Sequence, residues 1–202
     1  MKLSALPSLA VVTALAIAAP AAAEPFKGPY VGAQAGMVHN KVGTIDADVG
    51  SVTVNDSKDA FTAGIFAGYN IQPIARIVVS PEAGFNIGTS DAMSLKGATT
   101  IGAVNPRYSF DLGLRAGYLI DDNSLIYARG GYENLNATVH ALDGKVPVRD
   151  RDTFDGWSIG GGYERVITGG ISARVEYRYS DLGGSDGKFD RHQALLGVAY
   201  NF

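Results

Sequence analysis

Four glutamates of this sequence could do proton chemistry. They are Glu82, Glu133, Glu164 and Glu176. A positioned carboxylate can act as a general acid or base, but each of these has an arginine available at a similar depth in its own or a neighbouring segment. A guanidinium beside a carboxylate favours its ionised form. We therefore interpret the four glutamates as ion-paired filling and predict no catalytic residue.

Three histidines could serve as bases or as metal ligands: His39, His140 and His192. His39 and His192 lie near the ends of the first and last strand-like segments, so the two would meet if those segments paired. A shared metal ion is one interpretation, because neutral imidazole is a common metal ligand. Histidines at strand ends are more often ordinary interface residues, and we predict neither a metal site nor a cofactor.

The composition argues against phosphate and nucleic-acid binding. Gly160-Gly161-Gly162 lies inside a strand-like segment with no helix after it, so close packing is favoured over a phosphate loop. Without Lys2 the chain has 16 basic and 20 acidic residues, a formal charge of −4, and no basic run. Nucleic acid is therefore not expected as a partner. The absence of cysteine excludes disulfides and thiolate metal sites.

The first 23 residues, MKLSALPSLAVVTALAIAAPAAA, have the features of a secretory signal. One lysine precedes an apolar run, and the run is followed by an A-x-A cleavage site. We predict cleavage after Ala23, which divides the chain into a signal peptide, residues 1–23, and one domain, residues 24–202. No later apolar stretch is long enough for a membrane-spanning helix, so any membrane span must consist of strands.

Alternation of polar and apolar residues identifies eight strand-like segments of 10 to 14 residues. They are Pro29 to Asn40, Ala60 to Ile71, Arg76 to Gly88, Arg107 to Ile120, Ser124 to Leu135, Phe154 to Val166, Ile171 to Ser180 and Arg191 to Phe202. A tilted strand needs roughly 9–11 residues to cross a bilayer, whereas strands of globular proteins mostly have about 5–6. The segments have the length of membrane-spanning strands.

The connections between segments alternate in length. They contain 19, 4, 18, 3, 18, 4 and 10 residues, and the long ones are 41–59, 89–106, 136–153 and 181–190. Outer-membrane barrels have long extracellular loops and short periplasmic turns, and an even number of strands leaves both termini in the periplasm. The pattern predicts an all-β fold, an eight-stranded antiparallel up-and-down transmembrane β-barrel.

Each segment has an apolar face and a polar face, and the polar face has the composition of an enclosed one. Every lysine after the signal lies before the first segment or in a long connection, whereas arginines lie on the polar face. A confined polar interior favours the planar guanidinium. We predict a lumenal ion-pair network of Arg76, Glu82, Asp111, Arg115, Arg129, Glu133, Glu164, Arg174, Glu176 and Arg178. The alternative is a soluble sandwich with a salt-bridged surface.

Aromatic residues fall at two heights on the apolar face. One set is Tyr69, Tyr118, Tyr163 and Tyr200, and the other is Phe61, Phe85, Tyr108, Tyr132, Trp157 and Tyr179. Strand rise and tilt put the two sets roughly 25 Å apart. This spacing is typical of the aromatic girdles on either side of a lipid-facing band.

Four stretches resemble the small outer-membrane β-barrels of Gram-negative bacteria, the opacity-protein and OmpA-like group of porin-family proteins. They are GPYVGAQAG, FDLGLRAGYLIDDNSLIYARGGYEN, ARVEYRYSDLG and the ending LLGVAYNF. The resemblance covers residues 24–202 and implies an integral outer-membrane protein whose environment is lipid and lipopolysaccharide. It also implies an assembly signal, read by the barrel-assembly machinery, at Leu196, Val198, Tyr200 and Phe202.

The resemblance implies three alternative functions. The favoured one is a structural barrel that supports envelope integrity and surface display, with no catalysis and no wide pore. The second is an adhesin or surface-binding protein whose long loops engage an extracellular ligand such as haem. The third is a lipid-modifying enzyme, but the His-x-Ser pair of related deacylases is replaced here by His192-Gln193-Ala194.

The acidic residues of 41–59 and 181–190 could bridge divalent cations to lipopolysaccharide, although solvated loops are the simpler interpretation.

Overall fold

Nine strands make up most of the described chain. The computed structural model describes residues 24–202 except 48–49, 90–92, 97–100, 144–145 and 183–186, and the predicted signal peptide lies outside the described residues. The strands are β1 (Gly28–Ala47), β2 (Gly50–Ile74), β3 (Ile77–Thr89), β4 (Met93–Lys96), β5 (Ile101–Asp121), β6 (Ser124–Asp143), β7 (Val146–Thr168), β8 (Ile171–Asp181) and β9 (Gly187–Asn201). No helix in the described ranges is long and apolar enough to cross a membrane.

Eight of these strands form a closed antiparallel barrel. Apart from the short strand β4, strands adjacent in the chain pair with each other. β1 pairs with β9, and β3 pairs directly with β5, which completes the circle. The four-residue strand β4 pairs with β5 beyond the end of the β3–β5 ladder. Closure leaves the eight-stranded wall without an open edge. The predicted eight-stranded up-and-down barrel is confirmed.

The strands extend further at one end than the sequence pattern predicted. The strand β2 has 25 residues and β7 has 23, and the β1–β2 ladder continues to Ala47↔Gly50. Most of the predicted connections 41–59 and 136–153 is therefore strand. The prediction that the lysines lie outside the strands is wrong for Lys41, Lys58, Lys96 and Lys188. The sequence there lacks the regular alternation on which the prediction depended. We refer to this as the hairpin end of the barrel.

Two-residue turns join the strands at the opposite end, the turn end. They are Ala75–Arg76, Asp122–Asn123 and Gly169–Gly170. Gly169 and Gly170 have φ values of 50° and 82°, which glycine adopts without steric cost. The Asn123 N–H donates to the Asp121 carboxylate at 2.8 Å, which holds the pKa of that carboxyl below its ordinary value. Both termini of the barrel are at this end, where the Phe202 N–H donates to the Pro29 carbonyl.

The polar faces of the strands point into the barrel. On β8 the side chains of Arg174, Glu176 and Arg178 are buried, whereas Val175 and Tyr177 are 50% and 55% exposed on the outside. The same alternation holds on β5, where Leu112 is exposed and Asp111 is buried. A soluble sandwich has the reverse arrangement. A polar interior with an apolar exterior is the arrangement of a transmembrane barrel.

Candidate functional site

Glu82 on β3 joins side chains from four other strands inside the barrel. Its Oε2 lies 3.1 Å from Arg115 Nη1 on β5 and 2.6 Å from Arg174 Nη1 on β8. The Tyr30 hydroxyl, on β1, donates to the same oxygen at 2.9 Å. Arg129 Nε, on β6, lies 3.6 Å from Oε1. Because β3 and β8 are on opposite walls, the pair of Glu82 and Arg174 crosses the lumen.

The arginines around Glu82 connect it to further polar groups. Arg115 Nη2 lies 2.6 Å from Glu164 Oε2, and the other oxygen of Glu164 accepts a hydrogen bond from Ser172. Arg174 Nη2 donates to Gln34 Oε1 at 2.7 Å. All of these side chains are buried, so each charge meets its partners away from solvent. Charge-assisted hydrogen bonds of this kind are the strong ones in proteins.

A second group of charges lies nearer the hairpin end. Asp111 pairs with Arg129 and lies 3.3 Å from Arg178 Nη1, and Arg178 Nη2 lies 2.6 Å from Glu176 Oε1. Still nearer that end, Arg191 Nη1 lies 2.7 Å from Glu133 Oε1. The groups cross the lumen at successive heights, and every carboxylate in them contacts an arginine. A carboxylate held in this way is a poor candidate for general acid–base chemistry.

The structure brings nine of the ten predicted network residues into the lumen, and Arg76 is the exception. Arg76 lies in a two-residue turn with a φ of 71°, and its exposed side chain donates to the carbonyls of Leu119 and Ile120. Its prediction as a lumenal residue is wrong because the turn takes it out of the strand ladder. Arg191 replaces it, so the buried charges of the described chain are still five arginines and five carboxylates. On the last segment, Arg191 is five residues before the outward-facing Leu196, so alternation places Arg191 on the polar face. The prediction did not use this pattern.

Two tyrosines that the sequence analysis missed pack across glycines of the neighbouring strand. Tyr30 lies directly opposite Gly68, and Tyr127 lies directly opposite Gly162. A Cβ at either glycine would collide with the tyrosine side chain and with a backbone carbonyl. The two rings flank Arg115, whose guanidinium carbon lies 5.6 Å from the Tyr30 centroid and 4.0 Å from the Tyr127 centroid. Only the strand register reveals these pairs.

The residues before β1 close the turn end of the lumen. Phe26 is fully buried and packs in one cluster with Val78, Leu119, Leu125 and Tyr127. The strand β6, which carries Leu125 and Tyr127, is on the wall opposite β1. The N-terminal segment therefore reaches across the opening and places an aromatic side chain beneath the charged groups.

The outer face has aromatic residues at both ends, as the sequence predicted. Those exposed at the turn end are Tyr69, Tyr118 and Tyr200, and those exposed at the hairpin end are Phe61, Phe85, Tyr108, Tyr132 and Trp157. Tyr163 and Tyr179 are half-buried. On β9, Leu196, Val198 and Tyr200 share this outer face, and the ring of Phe202 packs edge-on against that of Tyr200.

Two histidines meet on the outer face at the hairpin end. His39 and His192 are directly opposite each other in the β1–β9 ladder, with ring centroids 6.5 Å apart. In the part of the chain that the structure describes, no group of three or more His, Cys, Asp or Glu side chains is arranged to hold a metal ion. The side chains of His140 and of the predicted loop residues Asp46, Asp48, Asp56 and Asp186 lie outside the described residues.

Comparison with known proteins places the chain in a family. The family model for the outer membrane protein beta-barrel domain matches residues 8–202. A 25 kDa outer-membrane immunogenic protein of Brucella ovis is 32% identical over 177 residues, which are 87% of this chain and 77% of that protein. Outer membrane protein A of Salmonella typhi is 29% identical over 174 residues, which are 83% of this chain and 44% of that protein.

A solved structure agrees with this placement at the level of the fold. The outer membrane protein OprG of Pseudomonas aeruginosa superposes with a TM-score of 0.54 at 11% identity, covering 88% of this chain and 97% of the other. At that identity the likeness concerns the fold alone. Since the family match extends over almost the whole chain, the protein belongs to the outer membrane protein beta-barrel domain family and is an integral protein of the outer membrane.

Proposed function

We propose that the protein is a structural barrel that supports envelope integrity and displays its hairpins at the cell surface, with no wide pore. The observation that carries the proposal is the filled lumen, in which ten paired charges are buried above the Phe26 cluster. An eight-stranded barrel is just wide enough inside for side chains to fill it. The turns and both termini face the periplasm, as is usual for an even-stranded barrel. The similarity to an immunogenic outer-membrane protein supports surface display.

Planar-bilayer recordings of the purified barrel, together with a deletion strain, test this function. We expect no long-lived openings of porin size, because the charged side chains occupy the lumen. The deletion strain should become more sensitive to detergents, and expression of the barrel should restore resistance. Stable porin-size conductance would contradict the filled lumen, and an unchanged envelope in the deletion strain would contradict the structural role.

A second candidate function is ligand binding by the surface hairpins. It is favoured by the length of the β1–β2 ladder, which continues past His39 to Ala47↔Gly50 with one register shift between Val42 and Thr44. A variant that lacks residues 42–58 keeps the barrel wall and removes this hairpin. If the shortened barrel restores envelope resistance fully, the structural role is supported. If the shortened barrel folds in the outer membrane but does not restore envelope resistance, the hairpin carries the function.

We propose that the protein has no catalytic activity on lipids. The Nδ1 atom of His192 lies 2.7 Å from the Tyr177 hydroxyl, and the residue two positions after His192 is Ala194, which has no nucleophile. Incubation of the folded barrel with lipid A, followed by mass spectrometry, tests this proposal. Loss or transfer of an acyl chain would contradict it.

We propose that the last strand carries the signal read by the barrel-assembly machinery. The support is the outward alternation of Leu196, Val198 and Tyr200, with the Phe202 ring packed against Tyr200 at the chain end. Deletion of Phe202 should leave the protein in the periplasm as aggregate or fragments, whereas a Phe202→Tyr variant should assemble. Normal outer-membrane levels of the shortened chain would contradict the proposal.

A further inference from the structure

Contrary to the expectation from the sequence that the chain has no metal site, we propose that His39 and His192 form a binding site for a divalent transition metal ion of the copper and zinc class. The two residues are direct partners in the ladder of β1 and β9, and both lie on the outer face at the hairpin end. A metal ion lies about 2 Å from each imidazole nitrogen that binds it, so two rings that share an ion have centroids roughly 5–6.5 Å apart. The observed separation of 6.5 Å is at the upper limit of that range, so side-chain rotation must bring the two rings closer together for tetrahedral coordination.

Each imidazole is already oriented by a hydrogen bond at its Nδ1 atom. His39 Nδ1 lies 2.7 Å from Asp59 Oδ1, and His192 Nδ1 lies 2.7 Å from the Tyr177 hydroxyl. Metal-binding histidines usually donate their second ring N–H to a carboxylate or another oxygen, which fixes the tautomer and leaves the other nitrogen free for the metal. With Nδ1 occupied in both rings, Nε2 is the nitrogen of each ring that is left to bind an ion. The His39 side chain is 49% exposed, so an ion can reach it.

The chemistry of the site selects the ion. Two imidazole nitrogens suit Cu²⁺, Zn²⁺ or Ni²⁺, whereas Ca²⁺ and Mg²⁺ prefer oxygen ligands. The described chain offers no third histidine or carboxylate in ligating geometry, so water completes the coordination and the ion is exchangeable. Asp59 beside His39 and Asp190 near His192 add negative charge. The sequence contains no cysteine that would compete for these metals.

The position of the site gives the ion a structural effect. The ladder of β1 and β9 joins the first and last strands of the barrel. An ion that binds both histidines links these two strands directly. Because the two histidines bind one ion together only in the closed barrel, the ion binds that state more tightly and stabilises it by mass action.

Trp157 provides a built-in probe of binding. It is the only tryptophan in the chain, its ring centroid is 5.6 Å from that of Tyr179, and Tyr179 is 5.1 Å from His192. We would titrate the mature barrel, folded in detergent micelles at neutral pH, with Cu²⁺ and follow Trp157 fluorescence. We expect saturable quenching that EDTA reverses and Zn²⁺ competes. The apparent melting temperature should rise with Zn²⁺.

Variants separate this site from other copper ligands. His39→Gln and His192→Gln should each lower the apparent affinity for Cu²⁺ at least about tenfold. Asp59→Asn should lower it about tenfold, because the His39 ring loses the hydrogen bond that orients it. His140→Gln and Asp155→Asn, which change a histidine and a rim carboxylate elsewhere, should bind copper like the parent. Circular dichroism checks that every variant is folded. Quenching that is absent or unsaturable in the parent, that persists in both His39→Gln and His192→Gln, or that disappears in His140→Gln would overturn the proposal.

Discussion

Glu82 shows how a charge is accommodated at the centre of this barrel. One of its oxygens contacts two guanidinium groups and the Tyr30 hydroxyl, and the other faces Arg129. A buried ion pair gains little over an apolar pair of the same shape, but removing one partner leaves an uncompensated charge away from water. Loss of one member therefore destabilises the barrel much more than loss of one partner of a surface ion pair does.

We expect Glu82→Gln to lower the free energy of unfolding by about 3–5 kcal/mol, because the arginines around it lose their shared anion. Urea unfolding in lipid vesicles measures the change. The control is Arg165→Gln, which removes the exposed pair of Arg165 and Asp121 at 3.9 Å and the hydrogen bond to Ser124 Oγ at 3.0 Å, and which should change stability by at most about 1 kcal/mol. Equal stabilities of the Glu82→Gln and Arg165→Gln proteins would contradict a buried role for Glu82.

We expect Gly68→Ala to destabilise the barrel by about 1–3 kcal/mol, since a Cβ there overlaps the Tyr30 ring and lies 2.7 Å from the Pro81 carbonyl oxygen. Gly130→Ala is the control, because a Cβ at Gly130 meets nothing within 4 Å. The same urea titration compares the two. If both alanines were tolerated equally, the close packing of Tyr30 across Gly68 would be refuted.

The strand β8 carries the inverted polarity of the barrel in one element. Its inward residues, from Ser172 to Ser180, are buried, and its outward residues include Val175 and Tyr177. The ladder partners on β7 and β9 keep the same parity, since Val175 is opposite Tyr163 and Leu196. A shift of the register by one residue would turn every arginine toward lipid, so the element is strongly specified.

We expect Val175→Arg to cost roughly 2–4 kcal/mol in lipid vesicles, because position 175 faces the bilayer. Stability alone does not distinguish lipid from a protein core, so nitroxides attached at single cysteines provide the second measurement. Positions 175 and 177 should be accessible to oxygen and protected from polar nickel reagents, while 174 and 176 should be shielded from lipid. The assigned faces would be rejected if positions 174 and 176 were the ones accessible to oxygen and protected from nickel. They would also be rejected if neither pair of positions showed this pattern.

At the scale of the whole molecule, the lumen is filled by layers of different chemistry. The apolar cluster around Phe26 occupies the turn end, and the paired charges lie above it. Toward the hairpin end the buried residues include Val38 and Leu135. Apolar side chains near both ends reduce the access of water to the ion pairs, which strengthens their interaction.

We expect Phe26→Ala to cost about 3–5 kcal/mol of unfolding free energy, because it empties the fully buried position of an aromatic ring. It should also admit water to the turn end of the lumen. A cysteine placed at Val78, which is buried against Phe26, should resist a polar thiol reagent in the parent and react in Phe26→Ala. Pro25→Ala, at an exposed neighbour, should leave the cysteine protected. Equal labelling in the presence and absence of Phe26 would show that it does not close the lumen.

The alternation of residue types was sufficient to predict the eight barrel strands and their inward and outward faces, because it is local and repeats in every segment. It also identified nine of the ten proposed lumenal charges before any pairing was known. The family was identified from the resemblance of four sequence stretches. The prediction that residues 1–23 are a cleaved signal stays a prediction, since these residues lie outside the described chain.

Only the tertiary structure decided which side chains meet. Arg76 leaves the network because a turn conformation places it outside the ladder, and Arg191 joins it because closure brings β9 near β6. The glycine partners of Tyr30 and Tyr127 depend on strand register, and the position of Phe26 depends on a chain segment that crosses the barrel. The meeting of His39 and His192 likewise required closure between the first and last strands. Register and closure are non-local, since they bring together residues far apart in the chain, and a pattern within one segment contains no information about its partner.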